Sequence, residues 1–120
     1  MRYALSAVAL AAAAAAACGT PSGPAASYTA VSVADTAYAP DTVTIAAGAG
    51  VTWMNIGPST HTVTSDSGPA FGATLGAPGS DAYGSPTAGG SYSRVFATAG
   101  TYRYHCNFHA VMHGVVIVTP

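Results

Sequence analysis

Charge is scarce in this chain: only 6% of its 120 residues are Asp, Glu, Lys or Arg, and none is lysine. The three arginines and four aspartates form no stripe and no run, which excludes a surface that neutralises a row of phosphates. Nucleic acid is therefore not a partner, and an acidic substrate would find nothing to grip it. A partner is met instead through neutral or apolar surface. Helical periodicity is also missing, since no stretch shows an amphipathic 3.6-residue repeat of ordinary helix length. Cysteine is limited to Cys18 and Cys106. The length suits one domain and is too short for two that each build a core.

The first apolar run is not part of that core. Arg2 gives a short positive start, and Tyr3 to Ala17 is an uncharged, alanine-rich run ending in small side chains. Those features predict an export signal over residues 1–17. The run is short for a membrane span, which needs about 20 predominantly apolar residues. Cys18 follows Ala15-Ala16-Ala17 and resembles the lipobox of bacterial lipoproteins, whose cysteine receives a diacylglycerol and becomes the mature N-terminus. The family prefers Leu where Ala15 stands. The resemblance implies lipidation at Cys18, a Gly/Pro/Ser/Ala tether over 18–27, and a domain over 28–120 held at the periplasmic or extracytoplasmic face of a bacterial membrane. A Cys18–Cys106 disulfide is disfavoured, because Cys18 belongs to the leader or the anchor.

Beyond the tether the periodicity is two. Tyr28–Val33, Thr42–Ile45, Val51–Asn55, His61–Thr64, Ser91–Phe96, Thr101–Cys106 and Val115–Val118 are short, rich in β-branched or aromatic residues, and separated by Gly, Pro, Asp or Ser. The pattern predicts an all-β, two-sheet sandwich of seven to eight strands, with Val43, Ile45, Val51, Trp53, Val95, Tyr102 and Tyr104 in its core. Residues 66–90 resist assignment: seven of the 25 are Gly, three are Pro and three are Ser. A structureless loop of that length is unusual, so an irregular edge strand or a helical turn is expected there.

Chemistry gathers near the C-terminus, in Tyr104-His-Cys-Asn-Phe-His-Ala-Val-Met-His-Gly114. A strand ends at Cys106 and another begins at Val115, so Cys106, His109 and Met112 line one turn of chain with the spacing Cys-x2-His-x2-Met. A thiolate binds a soft metal strongly, a neutral imidazole suits both copper valences, and a thioether is a weak ligand favouring the reduced ion. Zinc sites use Cys, His and carboxylate, so the thioether argues against zinc. His61 is the best candidate for a fourth ligand, because it opens a strand after the turn-forming Gly57-Pro58-Ser59. Alternation puts Tyr102, Tyr104 and Cys106 on one face and His105 on the other, pointing away from the metal. His113 is expected at the surface, and Met54, alone in a strand, in the core.

The Cys106–Met112 loop, Asn55-x5-His61-Thr-Val-Thr-Ser, and the strands between Ala39-Pro-Asp-Thr-Val-Thr-Ile45 and Val51-Thr-Trp53 resemble the cupredoxins. The likeness is to the plastocyanin and amicyanin group of type 1 (blue) copper proteins and runs from about Tyr38 to Val118. The short His109–Met112 gap is closer to amicyanin. The resemblance implies a cupredoxin-like Greek-key β-sandwich holding one copper ion, with His61, Cys106 and His109 as strong ligands and Met112 as the long axial one. It also implies an electron carrier rather than an enzyme. Such a carrier passes single electrons between a redox-protein donor and acceptor that dock near His109, and is expected to act as a monomer. A copper storage or delivery lipoprotein using the same ligands is the alternative. Four histidines cannot supply the extra metal sites of a multicopper oxidase or nitrite reductase, and a single cysteine in the domain cannot supply a dinuclear copper site.

Three positions depart from the family. Phe108 replaces the usual proline before the loop histidine and gives up a fixed φ. Thr62 and Asn107 carry the polar types that the family usually has in exchanged places. Their side chains are expected to bridge the two ligand segments while the Thr62 N–H approaches the Cys106 sulfur. His105 occupies the aromatic position before the cysteine.

Overall fold

A computed structural model describes residues 24–120. The expected signal segment (1–17), the lipidation site Cys18 and the tether as far as residue 23 lie outside the described residues. The chain then forms β1 (Tyr28–Ala34), β2 (Ala37–Ala39), β3 (Thr42–Ala46), β4 (Gly50–Asn55), β5 (His61–Ser65), β6 (Gly72–Leu75), β7 (Gly79–Ser80), β8 (Pro86–Thr87), β9 (Ser91–Val95), β10 (Gly100–His105) and β11 (His113–Thr119). No helix occurs among the described residues. One sheet has the order β2-β1-β4-β9, the other β3-β11-β10-β5-β6, and β7-β8 forms a small separate ribbon.

The seven segments with period-two patterning are β1, β3, β4, β5, β9, β10 and β11. The count exceeds seven to eight because the two sheets gain short edge strands, β2 and β6, whose few apolar residues give no repeat to read. Residues 66–90 hold β6 and the β7-β8 ribbon rather than a helical turn. The ribbon's turn is made by the Asp81 carboxylate, which accepts the N–H groups of Tyr83 and Ser85 at 2.8 and 2.9 Å.

Between the sheets lie Val31, Val33, Val51 and Trp53 from one side and Val43, Ile45, Val63, Tyr104, Val116 and Val118 from the other, all buried. Trp53 is fully buried and sits 5.6 Å from Tyr92 and 5.3 Å from Tyr104, ring centre to ring centre. Two expectations about the core fail. Val95 is 41% exposed, because the inward positions of β9 are Tyr92 and Arg94 and the alternation continues to the buried Phe96. Arg94 reaches that face by laying its guanidinium over aromatic rings, 5.0 Å from Phe71 and 5.4 Å from Phe96. Met54 lies between the inward-facing Trp53 and Asn55 and is likewise exposed. Tyr102 is only half-buried.

The sheet order brings the chemistry together. β10 runs antiparallel to both β5 and β11, with Tyr104 opposite Ser65 and His105 opposite both Thr64 and His113. The start of β5, the end of β10 and the start of β11 therefore meet at one end of the same sheet. Tyr104 packs against Gly114 on β11 so closely that a Cβ there would fall on the ring.

Candidate metal centre

The chain leaves β10 at Cys106 and returns to the sheet at His113, and two backbone bonds hold the loop between them. Cys106 N–H donates to the Met112 carbonyl at 3.2 Å, and Met112 N–H donates to the His109 carbonyl at 3.0 Å. Cys106 and Met112 are buried by this closure and His109 is half-buried, while Phe108 and Val111 project into solvent at 60% and 74% exposure. His61, at the first position of β5, is fully buried.

His61, Cys106 and His109 converge. Their ligand atoms all lie within 4.8 Å of one another. The Cys106 sulfur is 3.9 Å from Nδ1 of His61 and 3.6 Å from Nδ1 of His109, and the two rings are 4.8 Å apart. Those separations suit donors arranged around one first-row ion, whose bonds to nitrogen and sulfur run roughly 2.0 to 2.3 Å. Met112 brings a buried thioether to the same loop. One sulfur, two imidazoles and a thioether form a donor set that fits copper.

The sulfur's surroundings favour the thiolate. Burial pushes the Cys106 thiol up, but N–H groups of Thr62 and Phe108 and the rings of His109 and His61 outweigh it and bring the pKa down to about 6. The Thr62 N–H donates to the sulfur at 3.3 Å, as expected. The expected side-chain bridge between Thr62 and Asn107 takes another form. The Thr62 hydroxyl accepts the backbone N–H of Asn107 at 2.8 Å, and the Asn107 side chain turns back to Nε2 of His105, 3.1 Å away. The segments are still joined, with backbone supplying one half of the bond.

His105 points away from the sulfur, and its Nδ1 meets the Asp66 carboxylate at 2.5 Å. His113 is exposed and bonded to the Ala110 carbonyl at 2.8 Å. Three residues not anticipated at the site shape it. Nε2 of His61 lies 3.1 Å from Oδ1 of Asp35, on the β1–β2 turn. Tyr38 donates its hydroxyl proton to the Thr62 carbonyl, and burial, then the neighbouring Cys106 thiolate, raise its pKa. Asn55 gathers the loop before His61, donating to the carbonyls of Ser59, Leu75 and Gly76 and accepting the N–H of Gly57. Of the three, only Asn55 falls in a stretch that carries the family resemblance in the sequence, Asn55-x5-His61.

A model of the copper-binding proteins of the plastocyanin/azurin family matches residues 25–119. Among solved structures the fold is similar to the reduced state of an amicyanin mutant with phenylalanine in place of a proline. That protein is 32% identical, with a TM-score of 0.58, and the match covers 81% of this chain and 85% of that one. It is also similar to the Cu(I) form of an amicyanin mutant with glutamine in place of a methionine, at 30% identity and TM-score 0.58, covering 77% and 82%. A reduced amicyanin with tyrosine in place of a tryptophan matches at 30% identity and TM-score 0.58, covering 76% and 81%. No curated protein sequence matches the chain.

Proposed function

The chain belongs to the plastocyanin/azurin family of copper-binding proteins, as a type 1 cupredoxin of the amicyanin and plastocyanin group, and from that membership we propose that it is an exported, lipid-anchored carrier of single electrons between redox proteins. The observation that carries this reading is the convergence of His61, Cys106 and His109 on one point. His61, Cys106 and His109 would hold the ion as strong ligands, and the buried Met112 thioether would add a weak fourth donor. Bound copper supplies the redox chemistry, alternating between Cu(II) and Cu(I).

The chain's own part is to keep the donors still. His61 and Cys106 sit at the ends of paired strands, and the loop carrying His109 and Met112 is closed by its own backbone bonds. Donors fixed in positions tolerable to both valences rearrange little when an electron moves. His109 is the only half-buried member of the set, and its edge, flanked by the exposed Phe108 and Val111, is the port through which partners exchange electrons. The N-terminal lipid at Cys18 tethers the domain to an extracytoplasmic membrane face.

The test is an absorption and EPR spectrum of the copper-loaded protein beside its Cys106→Ser variant. An intense blue band that bleaches on reduction, returns on reoxidation and is absent from the variant supports the carrier. Copper bound without reversible reduction would point to storage or delivery instead. Mass spectrometry of the mature N-terminus tests lipidation, and an unmodified residue at that terminus would remove the anchor.

A further inference from the structure

His61 is fully buried, so whatever meets its outer nitrogen decides which way the ring is protonated and how strongly the inner nitrogen donates. That partner is Asp35. Nε2 of His61 is 3.1 Å from the Asp35 carboxylate, and Nδ1 faces the Cys106 sulfur. An ionised carboxylate only accepts, so the proton is on Nε2 and Nδ1 keeps its lone pair for the metal.

We propose that Asp35 is a positioning residue of the metal centre, holding His61 in its ligating tautomer and lending the ring negative charge that favours the oxidised ion over the reduced one. The inference rests on the copper reading above and adds a tuning element to it. The carboxylate is 26 residues from His61 in sequence, and the backbone is shaped to deliver it. Ala34 pairs with Ala37, which leaves Asp35 and Thr36 to make the β1–β2 turn. Thr36 is held at φ 64°, a left-handed conformation that a β-branched residue rarely adopts. Gly57 passes over the same turn, where a Cβ would stand 2.8 Å from Oδ1 of Asp35 and 2.9 Å from its backbone nitrogen. Any larger residue at position 57 would displace the carboxylate.

A carboxylate on the remote nitrogen raises the basicity of a ligating imidazole, and stronger donation stabilises the more highly charged ion. Asp35 is 44% exposed, so solvent screens much of its charge and the effect belongs at the low end of the range for such partners. The expected size is about tenfold in the ratio of Cu(II) to Cu(I) binding.

The experiment uses the full chain loaded with copper ion, comparing wild type with Asp35→Asn, Asp35→Ala and Asp35→Glu. Voltammetry of Asp35→Asn, which keeps shape and an acceptor oxygen but loses charge, should show a potential raised by about 59 mV, the tenfold change for a one-electron couple. Asp35→Ala should rise at least as far, and Asp35→Glu should recover half or more of the change. In copper-free protein, nitrogen NMR should find His61 protonated on Nε2 in wild type and mixed in Asp35→Ala. If Asp35→Ala does not fold, the near-isosteric Asp35→Asn carries the test alone. An unmoved or lowered potential in Asp35→Asn overturns the proposal. A wild type without a blue band overturns the copper reading and this inference with it, whereas a blue wild type with unshifted variants overturns only the inference.

Discussion

Thr62 donates its backbone N–H to the Cys106 sulfur across 3.3 Å, and its hydroxyl accepts the N–H of Asn107, the next residue along, at 2.8 Å. A single residue thus joins the strand carrying His61 to the loop carrying Cys106, at the sulfur and at the residue after it. The distance from imidazole to thiolate is set by these two bonds and by the β5–β10 pairing behind them.

Thr62→Val keeps the shape and the backbone donor but removes the hydroxyl. The part-buried Asn107 N–H then loses its acceptor, which costs about 1 kcal/mol. The urea midpoint of the copper-free protein should fall with an unchanged slope, and Thr62→Ser should restore most of it. Equal midpoints for Val and Thr would mean that the bond contributes nothing.

The Cys106 pKa makes the stability of the copper-free protein depend on pH. The thiol ionises at about 6 when folded, against an ordinary value of 9.0. Between those values the unfolded chain holds a proton that the folded chain has released, so folding is favoured increasingly as pH rises. The contribution grows by at most roughly 1.4 kcal/mol per pH unit, is complete above the unfolded value, and is lost as pH falls through the folded one. Unfolding midpoints from about pH 5 to about pH 10 should climb for wild type and climb less for Cys106→Ser. Parallel curves for the two proteins would contradict the shifted thiol.

Much of this architecture could be read from alternation alone, and the misses have physical causes. Valine and threonine repeats marked the seven longer strands because those strands bury one face. β2 offers only Tyr38 between two alanines, and β6 starts at a glycine, so neither carries a repeat although both complete a sheet edge. Val95 and Phe96 are both apolar and adjacent, and the pleat, not composition, decides that Phe96 is the one turned inward. At the metal centre the donors were legible because Cys, His and Met have few other reasons to share a seven-residue loop. Asp35 was not, since an aspartate at a tight turn is what any hairpin prefers, and nothing local reveals a histidine 26 residues away.

Gly114 is the second residue of β11, and its missing side chain leaves room for the hydroxyl end of the Tyr104 ring. Tyr104 is fully buried and boxed in by Tyr38 and Trp53, with ring centres 4.8 and 5.3 Å away, so it has nowhere to move. Gly114→Ala should destabilise the fold by about 1 to 3 kcal/mol, the usual cost of overpacking. Thermal unfolding of the copper-free variant measures it, and an unchanged midpoint would show that the strand yields instead.

Val111 is 74% exposed, beside a half-buried ligand, on a surface with little charge of its own. Nothing in the fold needs an apolar residue there, so Val111→Asp should leave stability within about 0.5 kcal/mol of wild type. Exchange is another matter if electrons cross at the His109 edge. Two copies meeting edge to edge bring their 111 positions together, and a pair of carboxylates in that contact repels. Self-exchange, followed by NMR line broadening in mixtures of oxidised and reduced protein, should slow by about tenfold at low salt. Added salt should restore part of the rate, because the obstacle is an exposed charge that counterions screen. Val111→Thr, polar but uncharged, should slow exchange much less. A Val111→Asp rate equal to wild type would move the port away from His109, to a part of the surface that this loop does not reach.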